Sequence, residues 1–257
     1  MQIADKVVVV TGGSNGIGRA LAERFVREGA RGVCIADVDE AEGKKVAAAS
    51  GAKFVACDVR KEEDIVRLVR EAEKAFGPVD LFCGNAGIGL ADANGNAGGA
   101  SNTDWQRIWE INVMAHVLAA RTLLPGMIER KSGYFLITAS AAGLLSQIGS
   151  SAYSTTKHAA IGFAESLAIA HGDQGIGVSV LCPQGVLTNM TRGQGDTPQA
   201  NDGMLQPEDV AECVSQGLKD ERFLILPHPQ VLTYMQRKTA DYDRWIRGMQ
   251  RFRQKFV

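Results

Sequence analysis

The chain has 257 residues, an apolar content of 45% and a net charge of −1. That length suits one large α/β domain, and the near-neutral balance excludes non-specific nucleic-acid binding as the main task. The opening MQIADKVVVV holds a short valine run that TGGSNG interrupts. It is too short for a membrane span and lacks a signal-peptide cleavage pattern, so a cytoplasmic protein is expected.

Strand-like and helix-like patterns alternate from there. KVVVV (6–10) is predicted as a buried β-branched strand. The next segment, 16–30, places Ile17, Leu21, Phe25 and Val26 at helical spacing. GVCIAD (32–37) is the second strand, and a helix over 40–49 follows. KFVACDV (53–59) is the third, before a helix closed by Gly77-Pro78. VDLFCGNAG (79–87) runs into a glycine turn, and 88–102 reads as a surface loop. Thr103 or Asp104 is predicted to cap a long helix over 104–130. A strand over 133–140, a helix over 150–172, and strands over 177–183 and 223–227 complete the pattern.

Continuous apolar strands between amphipathic helices predict a Rossmann-like doubly wound, seven-stranded parallel sheet with helices on both faces. Right-handed crossovers put every strand's carboxyl end on one edge, where ligands bind. A single domain is expected over 1–227. Residues 188–207, rich in glycine and polar residues, are expected to form a substrate lid. Cys34, Cys57, Cys83, Cys182 and Cys213 show neither a CxxC pair nor metal-ligand spacing, so no metal is expected and they read as small buried hydrophobes.

The last 30 residues differ in kind. From His228 onward seven basic residues face two acidic ones, a net of +5 that leaves −6 for the rest of the chain. Met235, Tyr242, Met249 and Phe256 recur every seven residues, joined by Trp245 and Phe252. Residues 228–257 thus read as a basic amphipathic helical tail. It would dock on its own subunit or a partner subunit, or meet a membrane surface or an acidic partner.

VVVVTGGSNGIGRAL follows the first strand and opens the first helix. Gly12, Gly16 and Gly18 let the backbone approach a pyrophosphate, and the helix N-terminus supplies free N–H groups there. Ser14, Asn15 and Ile17 belong to the same turn. Asp37 lies 19 residues after Gly18, at the end of the second strand. A carboxylate there accepts from the adenosine ribose hydroxyls and repels a 2′-phosphate. Asn15 brings no positive charge for such a phosphate. NAD is therefore expected over NADP, unless Asp37 is only a strand-end turn residue. Asp58, followed by Val59, closes the third strand and can bond an adenine amino group. Asn85, Ala86 and Gly87 close the fourth, near the cofactor ribose; Asn85 can equally tie neighbouring strands together.

Ser140 ends the fifth strand. Tyr153 and Lys157 stand at i and i+4 on the following helix, and so share a face. A nearby ammonium lowers a phenol's pKa from about 10, which would let Tyr153 exchange a proton with an alcohol. Ser140 can orient the substrate oxygen. Lys157 keeps donors for a cofactor ribose, and the cofactor carries the hydride.

With TGGSNGIG (11–18), NAG (85–87), IN (111–112), Ser140, YSTTK (153–157) and CPQGVLT (182–188), residues 5 to 227 resemble the short-chain dehydrogenase/reductase family in its compact single-domain subgroup. The resemblance implies a nicotinamide cofactor and a catalytic tetrad of Asn112, Ser140, Tyr153 and Lys157. Asn112 would hold a water that links the lysine to solvent. Spacing alone does not single Asn112 out. The resemblance also places Pro183, Gly185, Val186 and Thr188 beside the nicotinamide, Thr188 toward its carboxamide. One departure is Gln184, where the family usually has glycine. Its side chain would alter the turn or reach the substrate pocket.

The pocket is expected between 88–100, 142–150 and the segment after Thr188, with Leu144, Leu145, Gln147, Ile148, Gln184, Leu187 and Met190 as candidate substrate residues. Only Arg192 is a basic residue near it, which favours an uncharged secondary alcohol or ketone. An NADPH-dependent carbonyl or 3-oxoacyl thioester reductase is the alternative reaction; a non-catalytic nucleotide-binding sensor or partner protein is the alternative class. The resemblance further implies a homo-oligomer, a dimer or tetramer, built on the two long helices.

Overall fold

The computed structural model describes residues 1–192, 200 and 202–256. Seven parallel strands run in the order β3-β2-β1-β4-β5-β6-β7. They are β1 (Val7–Thr11), β2 (Gly32–Asp37), β3 (Lys53–Ala56), β4 (Leu81–Gly84), β5 (Gly133–Thr138), β6 (Ile176–Leu181) and β7 (Leu224–Ile225). The order reverses between β1 and β4, and that crevice lies at the strands' carboxyl ends.

The valine run shows why the sheet is two-sided. Val7 and Val9 pack into one core layer, Val8 and Val10 into the other, and all four are fully buried. Each such burial contributes roughly 1.5–3 kcal/mol. One face carries α3 (Glu62–Phe76), α5 (Ala115–Glu129) and α7 (Ser151–His171); the other carries α1 (Gly16–Arg27), α2 (Glu40–Ser50) and α8 (Pro207–Lys219). Cys34, Cys57, Cys83 and Cys182 are buried in these layers, as expected, and Cys213 is half-buried. Burial pushes the Cys34, Cys57 and Cys182 thiols up to about 12, so they act as apolar side chains.

Several local expectations change. Strand β3 ends at Ala56 and β4 at Gly84, so Asp58 and Asn85 stand on loops just beyond the sheet. The helix α4 (Asn102–Trp109) is capped by Ser101, not by Thr103 or Asp104: the Ser101 hydroxyl accepts from Asp104 N at 3.1 Å. A π-helical turn, Glu110–Met114, joins α4 to α5. The continuous run Asn102–Glu129 is long and apolar enough to cross a membrane by composition alone, yet half of its most apolar window is buried inside the protein. Helix α8 was not predicted, although Gln206 and Asp209 form a capping box around Pro207.

The lid expected over 188–207 falls partly outside the described residues. Its ends are tied down: Val186 pairs with Leu205, and the Thr191 hydroxyl donates to the Val186 carbonyl at 2.6 Å.

The basic tail is two helices, α9 (Gln230–Ala240) and α10 (Tyr242–Arg253), broken at Asp241. Asp241 leaves the helical region at φ −156°, and its carboxylate accepts from Arg244 N at 2.9 Å to start α10. The tail docks on its own chain. Fully buried Val231, with Tyr234, Met235 and Trp245, packs on Ala141, Leu144 and Leu145 of the short α6 (Ala142–Leu145) and the residue before it.

Candidate active site

The Gly-rich turn lies against the crevice between β1 and β4. Gly12 has φ +66°, and a Cβ there would lie 2.9 Å from Ala86 Cα. A Cβ on Gly18 would lie 2.1 Å from the Gly12 carbonyl oxygen and 2.6 Å from Asn85 Nδ2. The turn is thus wound to a tightness that excludes side chains. Asn15 begins α1, yet its side chain caps no helical N–H; its Oδ1 accepts instead from Asn189 Nδ2 at 3.0 Å. The first N–H groups of α1 remain available to an anion. This tight cradle fits a dinucleotide pyrophosphate.

Asp37 ends β2 beside this turn. Its carboxylate accepts from Ser14 N at 3.1 Å and Asp39 N at 3.2 Å, which fixes its direction at the sheet edge. Ser14 is fully buried, and Ile17 packs into the core layer below. Asp58 pairs with Arg60 at 2.6 Å, which holds its carboxyl below the usual range. Val59 turns its side chain into the core.

Asn85 does bond neighbouring backbone. Its Nδ2 donates to the Thr11 carbonyl at 3.1 Å, and Asn85 N and Ala86 N donate to the Thr11 hydroxyl at 3.0 and 3.1 Å. Gly87 faces the other way. A Cβ there would meet Asn112 Oδ1 at 3.3 Å and Lys157 Nζ at 3.4 Å.

The four tetrad residues converge at the end of β5. Lys157 is 3% exposed; its Nζ donates to the Thr138 carbonyl at 2.9 Å and lies 5.6 Å from the Tyr153 ring centroid. Asn112 sits fully buried in the π turn. It accepts from Ile88 N and donates to Ile88 O, both at 2.9 Å, and donates to Thr156 Oγ1 at 3.1 Å. It therefore bonds a neighbouring loop and α7 rather than its own helix. Such π turns often mark functional sites. Ser140 is buried; its hydroxyl accepts from Ala142 N at 3.1 Å. The carbonyl of Pro183 accepts from Ala141 N at 2.8 Å.

The electrostatics correct one expectation. Burial pushes the Tyr153 phenol up, and a hydrogen bond with the Ser140 hydroxyl draws it partly back. Burial also pushes Lys157 down to about 8. In the protein alone, loss of water around the phenol raises it, and the Lys157 ammonium expected to lower it is not among the causes that act on it. One turn beyond Asn112, His116 is buried and pushed down to about 3, first by burial and then by Lys157, so it stays neutral beside the site.

Gln184, the departure from the family pattern, has an ordinary negative φ. Its N donates to His228 Nδ1 at 3.2 Å, and its Nε2 donates to Asp202 Oδ2 at 3.0 Å. The side chain thus reaches the cavity wall. Leu205 N donates to the Gly185 carbonyl at 3.0 Å. Thr188 stands over the Gly-rich turn, where its Cγ2 would meet a Cβ on Gly16 at 2.9 Å.

A cavity of about 560 Å³ opens from Ser140. Leu145, Gln147, Ile148 and Gln184 line it, as expected. Leu187 and Met190 do not; both are nearly half exposed. The 88–100 loop contributes nothing to the described wall. It is tied to α7 through Asp92, which accepts from Ser151 N at 2.8 Å. The missing wall comes from the tail: Tyr234, Trp245, Met249 and Phe252, with Arg237, Arg244 and Arg251. Amphipathic spacing revealed the apolar stripe but not the site it covers. The expectation of an uncharged substrate rested on Arg192 being the nearest cation, and that premise fails. Among the described residues no group of three metal-ligating side chains occurs.

This fold and this convergence of side chains define a Rossmann-type α/β protein with a cavity built beyond the end of β5 and under its C-terminal tail. The family model described as short chain dehydrogenase matches residues 6–199. The chain is 36% identical to 1-deoxy-11-beta-hydroxypentalenate dehydrogenase of Streptomyces exfoliatus, over 88% of this chain and 84% of that protein. It is 32% identical to the mitochondrial borneol dehydrogenase of Lavandula x intermedia, over 88% of each. A solved short-chain dehydrogenase/reductase from Burkholderia phymatum, in complex with NAD, superposes with a TM-score of 0.85 at 30% identity, covering 95% of this chain and 96% of that one. The chain belongs to the short-chain dehydrogenase/reductase family and is an oxidoreductase of that class.

Proposed function

We propose that the protein interconverts a secondary alcohol and a ketone, using NAD in preference to NADP. The observation that carries this reading is the clustering of Tyr153, Lys157 and Asn112 with Ser140, the member of the group that lines the cavity. Gly12, Gly16, Gly18 and the N-terminus of α1 would hold the pyrophosphate, and Asp37 the adenosine ribose. When bound, NAD would supply the hydride acceptor.

Tyr153 takes the proton from the alcohol oxygen as the C=O bond forms and the hydride leaves the adjacent carbon. In ketone reduction it returns that proton. Ser140 donates to the substrate oxygen as charge develops there. Lys157, anchored on Thr138 O, favours the phenolate over the neutral phenol. Asn112 holds the Ile88 loop and α7 in register, so that Gly87 and Lys157 pack together. The apolar cavity wall suits a bulky alcohol body, and the relatives are named for borneol and a hydroxypentalenate.

Asp37 supports NAD over NADP because its fixed carboxylate would repel a 2′-phosphate. The test is reduction of NAD⁺ and NADP⁺ across a panel of secondary alcohols. Turnover with NAD⁺ at higher kcat/KM is expected. Turnover with NADP⁺ alone overturns the cofactor assignment, and primary-alcohol activity alone overturns the substrate class.

A homo-oligomer built on α4–α5 and α7 belongs to the same proposal. Ile169 of α7 is 84% exposed and Trp109 of α4 is 37% exposed, apolar surface of the kind a subunit contact covers. A monomer by sedimentation at micromolar concentration would contradict it.

A further inference from the structure

Resting on the reading that Ser140 and Tyr153 take the reacting carbon, we propose that the substrate carries an anionic group, received by Arg237, Arg244 and Arg251. Three observations carry this. The three arginines recur every seven residues along the tail, and all three line the cavity that opens from Ser140. The same lining carries an apolar surface from Leu145, Ile148, Trp245, Met249 and Phe252 beside the polar Gln147 and Gln184. The cavity therefore combines the Ser140 hydroxyl, an apolar surface and three cations.

The second observation is charge balance. Among the described residues two carboxylates line the cavity, and both accept hydrogen bonds. Asp241 accepts from Arg244 N to cap α10. Asp202 accepts from the Tyr234 hydroxyl and from Gln184 Nε2, each at 3.0 Å. Three cations thus face two hydrogen-bonded anions.

The third is the pairing of the arginines. Seven of the twelve arginines before the tail, Arg19, Arg24, Arg31, Arg60, Arg67, Arg121 and Arg222, form ion pairs with carboxylates. Among the described residues none of the tail's five arginines does, so the three on the cavity are electrostatically unspent. Their position fits a substrate rather than the cofactor pyrophosphate, which belongs at the Gly-rich turn. A planar guanidinium suits a carboxylate, sulfonate or phosphate. The arginines are exposed, so each ion pair adds only a few-fold in affinity, and salt screens it.

The test compares two probes with the same aromatic skeleton, one anionic and one neutral: 8-anilinonaphthalene-1-sulfonate and N-phenyl-1-naphthylamine. Their binding to the full chain is followed by fluorescence. The sulfonate probe is expected to bind roughly tenfold more tightly, the sum of three modest ion pairs. The triple variant Arg237→Gln, Arg244→Gln, Arg251→Gln should remove that advantage and leave the neutral probe unchanged. Replacing the same three by lysine should keep most of it. Trp245→Ala should weaken both probes, which places them in the cavity. Equal binding of the two probes, an advantage that survives the glutamine variant, or no binding of either overturns the proposal. Turnover plays no part in this measurement, so an inactive enzyme would defeat the dehydrogenase reading while the arginine result stood or fell separately.

Discussion

The Lys238 ammonium donates to the Leu144 carbonyl at 2.6 Å, joining the last turn of α9 to the end of α6. Lys238 is only 7% exposed, and its Nζ also lies 3.5 Å from His158 Nε2 and 5.5 Å from the Tyr242 ring centroid. One buried cation therefore fastens the tail over the substrate cavity. Lys238→Met keeps the apolar stem and removes the bond. It should cost about 1–2 kcal/mol of stability and raise KM for apolar alcohols more than it lowers kcat. Denaturant unfolding and steady-state kinetics check this; an unchanged KM would show that the tail does not shape the cavity.

Lys157 sets a second expectation. Its folded pKa, about 8, lies below the ordinary lysine value of 10.5. Between those two values the unfolded chain binds more protons, so this residue makes stability rise with pH across that window. Below it the full burial penalty, on the order of 3 kcal/mol, weighs against folding. Lys157→Met should therefore raise the melting temperature at neutral pH while abolishing turnover. A less stable variant would mean that the Thr138 bond outweighs burial.

The buried phenol sets the pH dependence of catalysis. Because burial raises Tyr153, alcohol oxidation should increase with pH through the alkaline range, and ketone reduction should fall over the same range. Opposite slopes in the two directions are the signature to look for; parallel slopes would assign the titration elsewhere.

Gly18→Ala tests the cradle. A Cβ at 2.1 Å from the Gly12 carbonyl cannot be housed without opening the turn. Cofactor affinity should fall by at least about tenfold, a loss of roughly 1.4 kcal/mol. Titration calorimetry with NAD⁺ reads it directly, and unchanged affinity would place the pyrophosphate elsewhere.

Much of this architecture is legible in sequence because its signals are local. GVCIAD forms a strand over the very residues predicted, Gly32–Asp37, and the Gly-rich turn falls between β1 and α1 as its spacing requires. Asn112 was accessible only through family resemblance, because its role depends on a π turn and on Ile88, 24 residues away. The tail was half legible. Its seven-residue stripe continues across the break at Asp241, so periodicity reads one helix where the chain builds two. The available signal is Asp241, an aspartate placed to cap a helix start. Nothing local indicates that the stripe closes over Ser140, since that depends on packing between segments some 100 residues apart.

The central claim is that Tyr153 is the acid/base group, and the most direct measurement is Tyr153→Phe on the best secondary alcohol of the panel, with NAD⁺ affinity measured beside it. The account predicts that kcat falls by at least about 10²-fold while NAD⁺ binds within a few-fold of its original affinity. A phenylalanine variant that still turns over at near the original rate would contradict it.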